Sequence, residues 1–155
     1  MYKRQIFNRS HYEDIIAVRV KKIFPDPVWK RRYKHVLDFE SMLAEEGTVI
    51  IKLFLNISKE EQKKRLESRL QDPDKLWKFC MDDLDDRNRW DEFQTAYQDL
   101  IEKTSTPEAP WYIIPADRKW YRNLVVARLM VEKLRHLQLS LPTPNFDPAS
   151  IIIPD

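Results

Sequence analysis

The chain has 155 residues, of which 43% are hydrophobic and 34% are charged, and its formal net charge is +2. This composition is typical of one soluble globular domain, and so small a net charge does not require a polyanionic partner. No apolar run approaches the roughly 20 residues of a membrane-spanning helix, and the first residues lack the apolar segment of a secretory signal. We therefore expect a cytoplasmic protein with neither a membrane nor a nucleic acid as its partner.

The cysteine and histidine content argues against a disulfide framework or a zinc site. Cys80 is the single cysteine, so it can form no internal disulfide, and we expect a buried or idle thiol. The three histidines, His11, His35 and His136, do not have the spacing of metal ligands. The sequence therefore predicts no metal centre built from these side chains.

Glycine is almost absent, since Gly47 is the only one in the chain. Globular proteins contain about 7% glycine. A phosphate loop of the form G-x-x-x-x-G-K-S/T and a dinucleotide fingerprint of the form G-x-G-x-x-G each need several glycines. Neither motif can exist within these 155 residues.

The first half of the chain predicts helices around one buried strand. Residues 6–7 resemble the end of a strand, and the polar residues of segment 10–14 favour the start of a short helix. Apolar residues at helical spacing predict an amphipathic helix over 28–46 that Gly47 ends. The run TVIIKLFLNI, residues 48–57, predicts a nearly fully buried strand of a parallel sheet.

A capping box opens the next predicted helix. Residues 58–61 match the pattern S-x-x-E, so a helix should begin there and carry Arg65 and Arg69 one turn apart on a shared face. Asp72 and Pro73 should end it, because proline cannot continue a helix. The charged segment 74–86 that follows is predicted to be a surface excursion.

Three further elements complete the pattern. A helix is predicted from Trp90 to the break at 104–107, a strand over 111–114 and a helix over 119–137, followed by a proline-rich tail. This order predicts a three-layer α/β fold with two full strands and part of a third. Because a parallel sheet normally has more strands, we expect that sequence is missing at the start.

The segment FNRSHYED, residues 7–14, is a candidate ligand site. It follows the first strand fragment, where an open α/β sheet places its ligand. Arg9 could hold phosphate oxygens bidentately, Asn8 could orient metal-bound water, and Glu13 or Asp14 could accept hydrogen bonds. The alternative is that the polar residues of this segment only cap a helix.

A second candidate is a group of basic residues on the helix after the capping box and on the excursion beyond it. Mobile basic segments close over the anionic substrates of phosphotransfer enzymes. Acidic residues alternate with these cations, so i, i+4 pairing on a solvated face accounts for much of the pattern, and charge alone favours that alternative. The cations are Lys63, Lys64, Arg65, Arg69, Lys75 and Lys78.

Five stretches occur together and in one order: FNRSHYED, VWKRRYKHVLDFESMLAEEGTVIIKLFLNISKEEQKKRL, RLQDPDKLWKF, the pair Asp83-Leu84 to Trp90, and TSTPEAPWYIIPADRKWYRNLVVA. Over about residues 6–142 they resemble the second family of polyphosphate kinases. The resemblance implies a P-loop α/β sandwich similar to thymidylate kinase, with a helical lid. It also implies Mg²⁺-dependent transfer of phosphate between inorganic polyphosphate and AMP, ADP or GDP, by a homo-oligomer in the full-length protein.

The resemblance also implies roles for individual residues. The segment 7–14 is similar to the segment after the family's second phosphate-binding strand, and region 63–90 is similar to its lid. Some family members have Asp where this chain has Asn8, which puts direct metal assistance from that position in doubt. The residues expected at the site are Asn8, Arg9 and Arg69 in catalysis, and Glu13, Arg65, Lys75 and Lys78 in substrate binding.

The family's phosphate-loop strand and helix should precede the first element seen here, and they are absent. Residues 2–5 can be encoded by bases similar to the end of a transposon adapter, so we expect residues 1–5 to be a non-native leader. The expectation is one partial kinase domain, inactive by itself, with an extended tail over 141–155. The alternatives are a naturally short, non-catalytic anion-binding module and a fragment of another P-loop nucleotide kinase.

Overall fold

A computed structural model describes residues 5–141, 143, 145–147, 151 and 153. The expected leader and the expected extended tail lie largely outside this part of the chain. The elements within it are α1 (Glu13–Val20), α2 (Asp26–Lys30), α3 (Arg32–Glu45), β1 (Lys52–Asn56), α4 (Lys59–Gln71), a 3-10 helix (Pro73–Lys78), α5 (Asp82–Asn88), α6 (Trp90–Thr104), β2 (Trp111–Pro115) and α7 (Lys119–His136).

The two strands form a parallel pair, as predicted. Lys52 lies opposite Trp111 and Asn56 opposite Pro115, and helices α4 to α6 make the crossover that a parallel pair requires. The strand end expected at residues 6–7 is wrong, because both residues are exposed and pair with neither strand. Extended chain becomes a strand only where its amide and carbonyl groups have a neighbouring strand to bond.

Strand β1 is shorter and less buried than the run 48–57 predicts. It spans five residues, and the exposed fraction of Leu55 is 47%. Phe54 stacks on Tyr97 of α6 with ring centroids 4.8 Å apart, so the helical layer covers one face of the strand. The expectation of a nearly fully buried strand is therefore wrong, because an apolar run predicts burial only where both faces and both edges have neighbours.

The helix predicted over 28–46 is divided at Arg31 into α2 and α3. Arg31 keeps right-handed helical angles, so the division is a local break in hydrogen bonding and not a turn of the chain. The predicted end is confirmed: Gly47 adopts φ +80°, and its N–H donates to the carbonyl of Ala44 at 3.0 Å. The position just after a helix often adopts the left-handed conformation, which glycine takes up without steric cost.

The main predictions for the second half are confirmed. The Ser58 Oγ accepts from the N–H of Glu61 at 3.1 Å, which caps α4, and the helix ends at Asp72 before Pro73. Helix α6, strand β2 and helix α7 lie within a few residues of their predicted positions. The excursion at 74–86 is more regular than expected, since it contains the end of the 3-10 helix and the start of α5.

The core lies on one side of the sheet, between helices α1, α2, α3 and α6. Successive strand residues point to opposite faces, so Trp111 packs toward this core while Tyr112 faces α7, where Lys133 lies over its ring at 5.7 Å. Helices therefore flank both faces of the small sheet. The fully buried members of the core are Ile15, Ala96 and Leu100. Within the described residues, no helix is long and apolar enough to cross a membrane.

Candidate functional site

The segment 8–12 forms a turn ahead of α1, exposed except at the half-buried Ser10 and the buried Tyr12. Asn8 and Arg9 are exposed, and the Arg9 Nε lies 3.7 Å from the Glu13 Oε1. The helix begins without a side-chain cap, since the Ser10 Oγ accepts from the N–H of Tyr12 and the Ser10 carbonyl accepts from the N–H of Glu13. The polar side chains of the turn are thus not consumed by capping, and Arg9 can reach an anion from solvent.

Beneath this turn lies a buried group of polar side chains, which we call the Lys52 network. The Tyr12 hydroxyl donates to the Glu40 Oε1 at 2.6 Å. The Lys52 Nζ donates to the Glu40 Oε2 at 2.7 Å, to the Tyr12 hydroxyl oxygen at 3.1 Å and to the Thr104 carbonyl at 2.6 Å. The network joins the candidate site turn to α3, β1 and the end of α6.

Burial controls the protonation of this network. Desolvation raises the pKa of Tyr12 well above its usual range, and the neighbouring Glu40 raises it further. Desolvation lowers the pKa of Lys52, while its hydrogen bond to Glu40 acts in the opposite direction. Tyr12 therefore remains a protonated donor. The hydrogen-bonded contact between the Lys52 ammonium and the Glu40 carboxylate compensates for the water that both groups lose on burial.

A second set of contacts joins the carboxyl ends of the two strands. It includes Asp117, which the sequence analysis did not predict as a site residue. The Ser58 N–H donates to the Asp117 Oδ1 at 2.8 Å, and the Ala116 N–H donates to the Asn56 carbonyl at 2.8 Å. The Arg65 Nη2 donates to the carbonyls of Ala116 at 2.7 Å and Asp117 at 3.2 Å. The available signal was an aspartate three residues after a predicted strand, near the strand end where such sheets place functional groups.

Three other candidate cations, Arg69, Lys75 and Lys78, have their contacts outside the sheet. The Arg69 Nη1 is 3.4 Å from the Asp83 Oδ2, and Lys75 pairs with Asp72. The Lys78 Nζ lies 5.0 Å from the ring centroid of Trp77. These contacts are partly or largely open to solvent, so an anion can compete for all three cations.

The predicted site residues thus fall into two groups. Within the described part of the chain, no hydrogen bond or ion pair joins the turn at 7–14 to α4 or to the 3-10 helix. Arg65 and Arg69 lie one turn apart as predicted, but Arg65 contacts the strand ends while Arg69 contacts α5. Cys80 is exposed, so of the two expectations, a buried thiol or an idle one, the buried thiol is wrong, because a polar excursion offers no core to cover it.

The residues present do not assemble a Mg²⁺ site. Among the residues that the structure describes, no three His, Cys, Asp or Glu side chains are grouped so that they could hold a metal ion. Asn8 offers one amide oxygen, and the nearest carboxylates in the sequence, Glu13 and Asp14, begin a helix. The expected Mg²⁺ therefore finds no protein cage here.

A small parallel sheet with helices on both of its faces defines the chain as an α/β protein. The sequence profile of the family described as Polyphosphate kinase 2 (PPK2) matches residues 2–141. The chain belongs to this family of kinases, which confirms the resemblance in its motifs.

Individual relatives agree with this assignment. The AMP/ADP-polyphosphate phosphotransferase of Meiothermus ruber is 53% identical over 148 residues, which cover 96% of this chain and 55% of that protein. The ADP-polyphosphate phosphotransferase of Rhodopseudomonas palustris is 37% identical over 149 residues, which cover 88% of this chain and 52% of that protein. The crystal structure of polyphosphate kinase 2 from Arthrobacter aurescens TC1 has a TM-score of 0.88 and 48% identity, covering 93% of this chain and 51% of that one. The chain spans about half the length of these relatives.

Proposed function

We propose that the chain is part of a polyphosphate-dependent nucleotide phosphotransferase with a P-loop-kinase-like fold. The similarity to relatives named as AMP/ADP- and ADP-polyphosphate phosphotransferases supports inorganic polyphosphate and an adenine nucleotide as substrates. The alternative nucleotide in this proposal is a guanine nucleotide such as GDP. We also propose a cytoplasmic location and assembly of the full-length protein into a homo-oligomer. The observation that carries it is the group of partly exposed cations on α4 and the 3-10 helix.

In this proposal, α4, the 3-10 helix and α5 form a lid that contacts polyphosphate. Arg69 is the main contact, because a guanidinium can bind two phosphate oxygens at once whereas an ammonium acts as a point charge. Its contact with Asp83 is long for a charged hydrogen bond, at 3.4 Å, and both side chains are more than one third exposed. Lys75 and Lys78 supply further positive charge at the end of the helix. Arg65 is the least available of the four predicted contacts, because its guanidinium already donates to three oxygens of the protein.

Asn8, Arg9 and Glu13 form the second part of the proposed site. Arg9 is 85% exposed at its side chain, so its guanidinium can bind a phosphate oxygen at the cost of a weak surface pair with Glu13. Mg²⁺, if it accompanies the reaction, would be held mainly by phosphate oxygens, which is the usual arrangement for this ion. The Lys52 network would keep the turn in place while its side chains bind.

We expect this chain to bind polyphosphate without transferring phosphate. Phosphoryl transfer depends on positioning and on electrostatic stabilisation by backbone amides and a lysine of the phosphate loop, and one glycine cannot build that loop. Formation of ATP from polyphosphate and ADP by the purified chain would contradict this expectation. A naturally short anion-binding module would also bind polyphosphate without catalysis. The genomic sequence upstream of the chain distinguishes such a module from a fragment of a longer kinase.

The lid assignment is tested by comparing Arg69→Ala with Lys63→Ala in polyphosphate binding over a series of salt concentrations. Lys63 lies on the same helix and is 64% exposed at its side chain, with a 3.8 Å pair to Glu67, so it is a matched control. Each phosphate contact releases counterions, so Arg69→Ala should weaken binding and reduce the salt slope by about one, as at nucleic-acid backbones. Equal losses from both variants would mean that the lid is a solvated face.

A further inference from the structure

Arg65 has a different environment from the other lid cations. Its Nε donates to the Glu61 Oε1 at 2.7 Å, and its Nη2 donates to the carbonyls of Ala116 and Asp117 at 2.7 and 3.2 Å. The Arg65 side chain is 26% exposed, compared with 37% for Arg69. The Arg65 guanidinium therefore donates to its own helix and to the segment between β2 and α7.

Two other contacts hold the same junction, and a third joins the first turn of α4 to α5. The Asp117 Oδ1 accepts from the Ser58 N–H at 2.8 Å, so the loop after β2 satisfies an amide at the start of α4 that the helix cannot satisfy itself. The Ala116 N–H extends the strand pairing to the Asn56 carbonyl at 2.8 Å. Arg87 of α5 donates to the Lys59 carbonyl at 2.7 Å, on the first turn of α4. The first two turns of α4 are thus fixed to the strand ends.

The contacts become fewer along α4. Beyond Arg65, the polar contacts between α4 and another element in the described chain are limited to the 3.4 Å contact of Arg69 with Asp83 of α5. Leu66 is the buried residue of this helix, and it lies next to Arg65. The helix is therefore held at its base and is comparatively free toward Arg69 and the 3-10 helix.

We propose that Arg65 and Asp117 are positioning residues that clamp the lid helix to the carboxyl ends of the strands. This inference rests on the proposed function of the lid and replaces polyphosphate contact as the role of Arg65. An arginine suits the position because its guanidinium presents several donors in a fixed plane, so one side chain serves Glu61 and two carbonyls together. The clamp fixes the base of the helix that carries Arg69, and it does not itself touch the anion.

The test uses Arg65→Met, Asp117→Ala and Arg69→Met in the full chain, with inorganic polyphosphate of one defined length as the probe. Amide hydrogen exchange of residues 57–59 and 116–118 reports on the clamp, and binding over a salt series reports on contacts. Arg65→Met and Asp117→Ala should both speed exchange at these amides and weaken binding about 3- to 10-fold, with an unchanged salt slope. Arg69→Met should leave this exchange unchanged and reduce the salt slope by about one.

Asp117→Ala separates a clamp from a charge effect. Removal of a carboxylate near a polyanion should strengthen binding if only charge matters, whereas the loss of a clamp should weaken it. Stronger binding by Asp117→Ala, unchanged exchange in Arg65→Met, or a reduced salt slope in Arg65→Met would each overturn the proposal. If the unsubstituted chain binds no polyphosphate, the proposed function fails, while the exchange of the Ser58 and Ala116 amides still decides whether the clamp exists.

Discussion

Lys52 lies in the middle of an apolar run, yet it is the one residue of β1 that is buried, at 5% exposure. Its ammonium and the Glu40 carboxylate are only 4% and 5% exposed as side chains. Removing two charges from water is costly, and their attraction offsets that cost only where further hydrogen bonds complete both groups. Here the Tyr12 hydroxyl and the Thr104 carbonyl provide those bonds.

Breaking this pair should therefore destabilise the fold strongly. We predict that Glu40→Leu alone lowers the free energy of unfolding by about 3–5 kcal/mol, because it leaves the Lys52 ammonium buried without its partner. The double variant Glu40→Leu with Lys52→Met should recover most of that loss. Equilibrium unfolding in guanidinium chloride measures both.

The control for the buried pair is Lys34→Met, which removes the exposed pair of Lys34 with Asp38. Exposed pairs contribute at most about 1 kcal/mol, so this variant should change the free energy of unfolding little. If Glu40→Leu costs no more than Lys34→Met, the Lys52 network is not a structural centre of the protein.

Residues whose roles the sequence predicted differ from the others in how far along the chain their contacts reach. Ser58, Gly47 and Pro73 act on their own neighbours in the chain, so pattern alone predicted their roles correctly. Lys52 meets Thr104 across 52 positions, and Arg65 meets Ala116 across 51. Such partners are decided by tertiary packing, and the lone lysine in the run 48–57 was the only trace of them in the sequence.

At the scale of the element, the start of α4 is stabilised by a serine of its own sequence and by an aspartate 59 positions away along the chain. The Ser58 Oγ accepts from the Glu61 N–H as the capping box predicts, but the Glu61 carboxylate turns to Arg65 and Asp117 accepts from the Ser58 N–H. Half of the capping box is therefore supplied by the loop after β2. The start of α4 therefore depends on tertiary structure as well as on its own sequence.

We predict that Ser58→Ala lowers the free energy of unfolding by about 1 kcal/mol, the usual cost of losing a serine cap. Ser68→Ala is the matched control, since Ser68 is exposed in the interior of the same helix and alanine has the higher helix propensity. Thermal unfolding followed by circular dichroism compares the two. Similar effects of both substitutions would show that the cap contributes nothing.

The elements also show where periodicity fails. Helical spacing located α6 and α7 because one stripe of each helix is apolar, but it could not detect the break at Arg31, where the backbone angles remain helical. Strand β1 was predicted too long because β-branched residues at 48–51 have strand propensity without a strand to pair with.

At the scale of the whole molecule, the described sheet has two strands, so β1 and β2 each have one edge without a strand neighbour. Apolar side chains accompany these edges, with Leu55 47% and Ile113 57% exposed. Unpaired strand edges with apolar side chains favour pairing with other chains. The strands themselves carry little charge to oppose it, since Lys52 is buried.

We predict that the purified chain associates with increasing concentration, and that Leu55→Lys reduces this association. Leu70→Lys is the control, because Leu70 is 51% exposed but lies on α4, away from either strand. Sedimentation velocity over a range of protein concentrations measures both effects. A monomer at every concentration, or equal effects of the two lysines, would show that the strand edges are not responsible.

The central claim is that the basic lid of this chain binds inorganic polyphosphate, and the most direct measurement is calorimetric titration of the 155-residue chain with polyphosphate at several salt concentrations. Arg69, Lys75 and Lys78 are all accessible, and each contact with a phosphate releases counterions. We predict saturable binding whose logarithmic affinity falls linearly with the logarithm of salt concentration. No binding at low salt, or binding that does not weaken as salt is added, would contradict it.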